Sequence, residues 1–361
     1  MDSIQGTIQA TPKYRPKRLS NLQFLRFIAF FFILFLHAQE YNCIGFPVSN
    51  GAALAVAFFF MLSGFVTAYA HYGKEVKPTI SNISSYIWKK LKKVYPLYLF
   101  TLLYTVMYTT IPGQITYWDF DEPDIFIQFI RCLFLMQSWK TTNYFDFNGV
   151  AWFLSSIFLA YFFALPALWA ISKIREKKHH TGYFLGILCS LLFITISYCY
   201  LIRNNPNEAY WGYIFPPARL GEFFIGMILA ELCVGITQKV STPKIYTSLL
   251  FTGLEIAALT FWVGICFLYK DFDWKYRIVE WLLPNMFLLF VFSFNMGYIS
   301  KVFSKNPFKF LGDISFECFL LHPLMISGGL GGISKRGSVF MIGLILLRTV
   351  FLASIIHKKN N

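Results

Sequence analysis

Arg26 and His37 lie eleven residues apart in the apolar run LRFIAFFFILFLHAQE. Three helical turns span that interval, so a helix puts both side chains on one face, about 16 Å apart along its axis. Imidazole is the side chain whose ordinary pKa lies nearest neutrality, which suits His37 to general-base work. Glu40, three residues further on, falls on nearly the same face and is placed to orient the ring. A plainer arrangement fits the same spacing, with His37 and Glu40 marking the aqueous end of a helix. A second cluster is WKKLKKVYPLY, where Lys89, Lys90, Lys92 and Lys93 precede Pro96. Four ammonium groups there suit either a clamp for a soluble polyanion or an anchor on lipid phosphates, at about 1 kcal/mol per lysine.

Other ionisable groups sit in apolar surroundings, where they are costly and mark functional sites or buried pairs. Arg219 and Glu222 in PPARLGEFFIGMILA are three residues apart and suit an intramembrane ion pair. Glu317 and His322 fall in FLGDISFECFLLHPLM, with Pro323 directly after the histidine. Glu231 and Glu255 are lone carboxylates whose partners the sequence does not name. Ser63 and Gly64 interrupt the aromatic run AFFFMLSGFVTAY. Such a small pair admits a close neighbouring helix, and Ser63 lacks the G-x-S-x-G turn that activates a nucleophilic serine.

The elements that hold these groups follow from composition. Of 361 residues, 56% are hydrophobic and only 14% charged, with 32 Lys+Arg against 18 Asp+Glu. A soluble domain is about 25% charged, and one aqueous core could not hide 42 Phe and 21 Tyr. The expected class is an all-α polytopic membrane protein, integral to the cell membrane and solvated by membrane lipid. Its net charge of +14 then belongs to loops on one side of the membrane, not to nucleic acid.

About ten segments approach the roughly 20 apolar residues of a transmembrane helix. They are Leu22 to Tyr41, Gly51 to His71, Val94 to Ile111, Val150 to Ser172, Tyr183 to Ile202, Leu220 to Ile236, Tyr246 to Tyr269, Ile278 to Ile299, Phe308 to Met325 and Val339 to Ile356. Lys and Arg gather in the tail, in 74–93, 173–178, 239–244 and 301–309, and at the end of the chain. Basic residues stay inside, so both termini are expected to be cytoplasmic. The expected divisions are a cytoplasmic tail at 1–20, a transmembrane domain at 21–357 and a cytoplasmic end at 358–361. Within the domain, 112–149 reads as an extracytoplasmic loop with an acidic tip, DFDEPD. Its apolar stretch IFIQFIRCLFLMQSW is short for a crossing and reads as an interfacial helix. The apolar run after the tail lacks a small-residue cleavage site and runs straight into a second span, unlike a signal peptide. Seven scattered cysteines without metal-ligand spacing point to neither a disulfide framework nor a metal. No internal repeat is visible, which weakens a transporter built on inverted repeats.

Taken together the blocks resemble the acyltransferase family 3 membrane proteins, which O-acylate cell-surface glycans and related acceptors. LQFLRFIAFFFILFLHA is similar to that family's first-helix signature of an Arg followed eleven residues later by a His. FFFMLSGFV, KKLKKVYPLY, AWFLSSIFLAYF, RLGEFFIGMILA and FLGDISFECFLLHPLM resemble its later blocks, in the same order. The resemblance implies that His37 is the catalytic histidine and Arg26 the supporting arginine. It also places Lys90 and Lys93 where the family commonly has an Arg-x-x-Arg pair that handles the acyl-CoA donor. Lysine keeps the charge and loses the bidentate fork. WFLSSIFLAY lacks the acidic residue that many members carry after the tryptophan, here Trp152, so the acceptor is open. A stand-alone domain is expected, without the fused extracytoplasmic hydrolase-like domain of some members.

The expected reaction is transfer of an acyl group, first of all acetyl, from acetyl-CoA or another acyl-CoA to a hydroxyl of an envelope polysaccharide or its lipid-linked precursor. Arg26, Lys90 and Lys93 would bind the donor, His37 with Glu40 would catalyse, and Trp152, Arg219 and Glu222 would line the acceptor's path. Arg26, His37 and Lys93 should then share one cavity open toward the cytoplasm. The main alternative is a transporter or exporter of a glycan or small amphiphile, and a non-catalytic scaffold is a further one. Oligomeric state is not legible.

Overall fold

A computed structural model describes residues 18–40, 51–110, 123–238, 245–268, 277–330 and 338–360. Among these residues every regular element is helical. The first three helices are α1 (Ser20–Glu40), α2 (Ala52–His71) and α3 (Ile80–Thr110). A short α4 (Pro123–Leu133) precedes α5 (Trp152–Arg175), α6 (His180–Ile202), α7 (Leu220–Thr237) and α8 (Ile245–Leu268). The chain ends in α9 (Arg277–Ser293), α10 (Tyr298–Phe303), α11 (Phe308–Asp313), α12 (Ser315–Leu330) and α13 (Ser338–Asn360).

Among the described residues, six helices are long and apolar enough to cross a membrane, namely α1, α2, α5, α6, α7 and α8. Glu280–Ser293 and Ser315–Ile326 are shorter apolar helices. Among the described residues, each of the ten apolar segments is largely helical, but this length criterion selects six of them. Burial separates centre from rim. In α2, 83% of the apolar window is buried, against 17% in α6 and 22% in α8. All three helices are apolar on every side, as lipid allows, and α2 is the one enclosed by others, packing against α7, α1 and α9.

The α2–α7 contact is the closest because both helices place glycine in it. A Cβ on Gly64 would lie 1.8 Å from the Phe223 carbonyl oxygen, and one on Gly226 would lie 1.9 Å from that of Met61. The Ser63-Gly64 interruption is therefore a packing device, as small residues in membrane helices commonly are.

Two expected spans divide. Phe308 to Met325 breaks at Ile314 into α11 and α12. The break falls where Gly312 lies against the α1 backbone, its missing Cβ 2.5 Å from the Gln23 carbonyl carbon. Ile278 to Ile299 likewise ends as a helix at Ser293, and α10 starts afresh after Asn295 takes a positive φ of 52°. Glu255 caps that new start, accepting from the backbone N–H groups of Gly297, Ile299 and Ser300 and from the Ser300 hydroxyl. Glu231 receives both Nε and Nη2 of Arg175, at 2.9 and 2.6 Å. Both lone carboxylates thus have structural partners.

In the expected outer loop, 112–122 lie outside the described residues, and α4 is an 11-residue amphipathic helix too short to cross. Side-chain hydrogen bonds fasten this region to the bundle. Gln128 donates to the Asn143 carbonyl, Asn148 to the Thr101 hydroxyl, Gln137 to the Ala151 carbonyl and Ser138 to that of Trp152.

Candidate active site

Helix α1 carries both ends of the candidate site. Near its start, Arg26 donates from Nε to the Ser315 hydroxyl at 2.7 Å and from Nη2 to the Gly312 carbonyl at 3.1 Å. Ser315 itself donates to that carbonyl at 2.7 Å. The α11–α12 break is therefore also the socket that fixes the guanidinium. Asp313, in the same turn, pairs with Arg18.

Arg26 lines a cavity of about 210 Å³ together with Lys90, Lys93, Ser63, Tyr161, Asp313 and Glu317. The three cations there outnumber the two carboxylates, and one of those carboxylates already holds Arg18. Lys90 is held by aromatic faces, its ammonium 4.8 Å from the Tyr161 ring centroid and 5.3 Å from that of Tyr86. Cation–π contact of this kind orients an ammonium without consuming its donors. The result is a basic pocket suited to a polyanion.

His37 lines a different cavity, of about 470 Å³. Its walls are Ile33, Leu36, Ala52, Val56, Phe145, Val150, Trp152, Tyr213, Pro323 and Ile326, and they are largely apolar. Trp152 packs on Tyr213 with ring centroids 4.8 Å apart. The turn supplying Phe145 is tightly wound, with Asn143 and Phe147 at φ of 62° and 59°. Beside it, burial raises the Asp146 carboxyl to about 6, against the opposing pull of Lys140.

The expected single cavity is thus two, and the reason is aromatic packing. Phe153 and Phe319 belong to the walls of both. With Phe59 they form a triangle whose ring centroids are 5.7 to 6.0 Å apart. This layer separates the basic cavity from the histidine cavity.

Arg219 and Glu222 form the anticipated pair at 2.8 Å, both side chains 1% exposed. They line neither cavity. The guanidinium lies 4.7 Å from the Phe60 ring centroid and 5.2 Å from that of Tyr213, so it reaches the histidine cavity only through Tyr213. Glu40 closes α1, and its side chain lies outside the described residues. Sequence reasoning did not single out Tyr161, Tyr213 or the Phe59–Phe153–Phe319 layer.

The chain is 27% identical over 241 residues to the acyltransferase MdmB of Streptomyces mycarofaciens, covering 60% of this chain and 58% of that protein. It is 22% identical over 337 residues to the peptidoglycan O-acetyltransferase OatA of Listeria monocytogenes, covering 87% of this chain and 50% of that protein. The chain spans about half the length of these relatives. No solved structure matches it. The profile of the family described as "Acyltransferase domain" matches residues 19–357, and the chain belongs to that family, acyltransferase family 3.

Proposed function

We propose that this chain is a membrane-embedded O-acyltransferase that moves an acyl group from acyl-CoA to a hydroxyl of an envelope polysaccharide or its lipid-linked precursor. One observation carries the reading. Arg26 and His37, three turns apart on α1, open into a basic cavity and an apolar cavity that meet at one aromatic layer. A polyanionic donor and a base for a hydroxyl are the two things such a pair of cavities can serve.

The donor's phosphates bind Lys90, Lys93 and Arg26, and its pantetheine arm passes between Phe153 and Phe319 to bring the thioester beside His37. The family name and the O-acetyltransferase name of one relative support an acyl donor and make acetyl the first choice. His37 takes the acceptor's hydroxyl proton as the oxygen bonds to the thioester carbonyl carbon. The C–S bond then breaks, and the departing thiolate takes the proton from the imidazolium, so the ester and free CoA leave and the base is restored. Apolar walls exclude competing water. The acceptor enters past Trp152 and Tyr213.

The test is transfer of labelled acetyl from acetyl-CoA in membranes containing the wild-type chain or His37→Ala at equal expression, with the host's envelope glycans present. Label in the glycan that disappears with His37→Ala is the expected result. Label that persists removes His37 as the base.

A further inference from the structure

The transfer scheme leaves a second imidazole, a buried one, unused. His322 on α12 is fully buried, 5.5 Å ring to ring from Phe30 and 5.3 Å from His37. It lines neither cavity.

Its protonation follows from its neighbours. Nδ1 lies 2.8 Å from the Phe319 carbonyl oxygen. A carbonyl only accepts, so Nδ1 carries the proton. The bond exists because Pro323 has no N–H to give the Phe319 carbonyl, four residues back, its helical hydrogen bond. The preceding histidine fills that vacancy in the ladder. In the neutral ring Nε2 is then the bare acceptor, and it is buried without a hydrogen-bond partner. Leaving such an acceptor unpaired costs about 1–3 kcal/mol, and groups of this kind in a native interior call for a reason.

His37 supplies one. No hydrogen bond joins the two rings as they stand, but their centroids are 5.3 Å apart, about the separation at which a direct N–H···N bond of ordinary length sets two imidazoles, so a turn of the His37 ring makes the bond. We propose that His322 is a positioning residue for His37, its Nε2 accepting a hydrogen bond from one ring nitrogen of His37. That bond holds the first nitrogen protonated and leaves the other as the base facing the apolar cavity. When His37 gains the hydroxyl proton, the bond becomes charge-assisted and strengthens as the reaction proceeds. His322 thus acts through His37 without touching substrate. The proposal rests on the reading of His37 as the base.

Two variants separate the ring's two duties. His322→Asn keeps a donor near Nδ1 for the Phe319 carbonyl and removes the acceptor. His322→Gln carries an amide oxygen out to where Nε2 stands. In 15N-histidine-labelled protein in lipid bilayers, the His37 signals are assigned by their loss in His37→Ala. They should show one tautomer in the wild type and in His322→Gln, and a mixture in His322→Asn. In acetyl transfer from labelled acetyl-CoA to the host's envelope glycans, His322→Asn should lower kcat about tenfold or more at unchanged KM for acetyl-CoA, with His322→Gln recovering most of it. An unchanged tautomer population in His322→Asn overturns the proposal. So does an active Asn variant beside an inactive Gln variant, the pattern of a ring that only repairs the Phe319 carbonyl. Loss of transfer in His37→Ala with full kcat in His322→Asn removes the positioning role alone, whereas transfer surviving His37→Ala removes the base assignment as well.

Discussion

Phe153 and Phe319 stand edge to face, ring centroids 5.7 Å apart at 71°, and each is part of both cavity walls. In the proposed transfer, a donor anchored at Lys90 and Lys93 would reach His37 only by these rings turning aside, and the layer would then couple arrival of the arm to opening of the apolar cavity.

Thinning that layer should therefore uncouple transfer from protection against water. Phe153→Leu costs about 1 kcal/mol in packing, a swap a core tolerates. Expected is a larger share of acetyl-CoA hydrolysed relative to acetyl transferred, read as free CoA released per label in glycan. An unchanged ratio would mean that the two rings merely pack.

The lysines should act on donor affinity and not on the chemical step. Replacing either Lys90 or Lys93 by Ala removes one positive charge of about 1 kcal/mol toward phosphate, so KM for acetyl-CoA should rise about fivefold with kcat preserved. Arginine at either position restores charge and adds the bidentate fork, so KM should fall below the wild-type value. Tyr161→Leu removes one aromatic face from the Lys90 ammonium and should raise KM by a smaller factor. Added salt should weaken the wild type more than either Ala variant.

What the sequence disclosed was local. Arg26, His37 and the lysine run stand out because a charge in an apolar segment is visible without knowing what packs on it, and the α1 spacing places the first two by helix geometry alone. The aromatic layer was not legible, since Phe59, Phe153 and Phe319 are three of 42 Phe and meet only through tertiary packing. His322 was singled out as an ionisable group but not as a neighbour of His37, for the same reason. The break at Ile314 escaped because α1 makes it, through Arg26 and the backbone at Gln23, and nothing in the apolar pattern of 308–325 records that contact.

Gly64→Ala should separate α2 from α7. Its Cβ would meet the rigid Phe223 carbonyl at 1.8 Å, and helix backbones cannot yield as side-chain ends do. Overpacking of this kind costs about 1–3 kcal/mol, read as a lower melting temperature in detergent and as loss of transfer. Gly186→Ala on α6 is the control, because nothing lies within 4 Å of its added Cβ. That change should leave stability level or raise it by about 0.5–1 kcal/mol through helix propensity.

The turn at Asp146 should tighten on mild acidification. Its carboxyl stands at about 6 in the folded chain against 3.8 for an ordinary aspartate. Folding therefore favours the protonated form, and the stability this contributes is lost as pH rises through about 6. Amide exchange across 140–149, corrected for intrinsic rates, should slow between about pH 7 and pH 5. Asp146→Asn should flatten that dependence, and an equal response in the variant would assign it to another group.

The Arg219–Glu222 pair distinguishes a structural role from an acceptor-binding one. With both side chains 1% exposed, removing Glu222 alone leaves a buried cation without its counter-ion, at a cost of about 3–5 kcal/mol. Glu222→Gln should accordingly lower the melting temperature sharply. The double variant Arg219→Met with Glu222→Leu removes the charge on both sides, and replacing a buried pair by apolar bulk is often neutral. If the pair only braces α7 against Phe60 and Tyr213, the double variant recovers both stability and transfer. If it guides the acceptor, stability returns while KM for the glycan stays raised and KM for acetyl-CoA does not move. The second pattern is the one the sequence anticipated, and the first follows from the pair's absence from both cavity walls. The geometry favours the first, because Tyr213 stands between the guanidinium and the space an acceptor would fill.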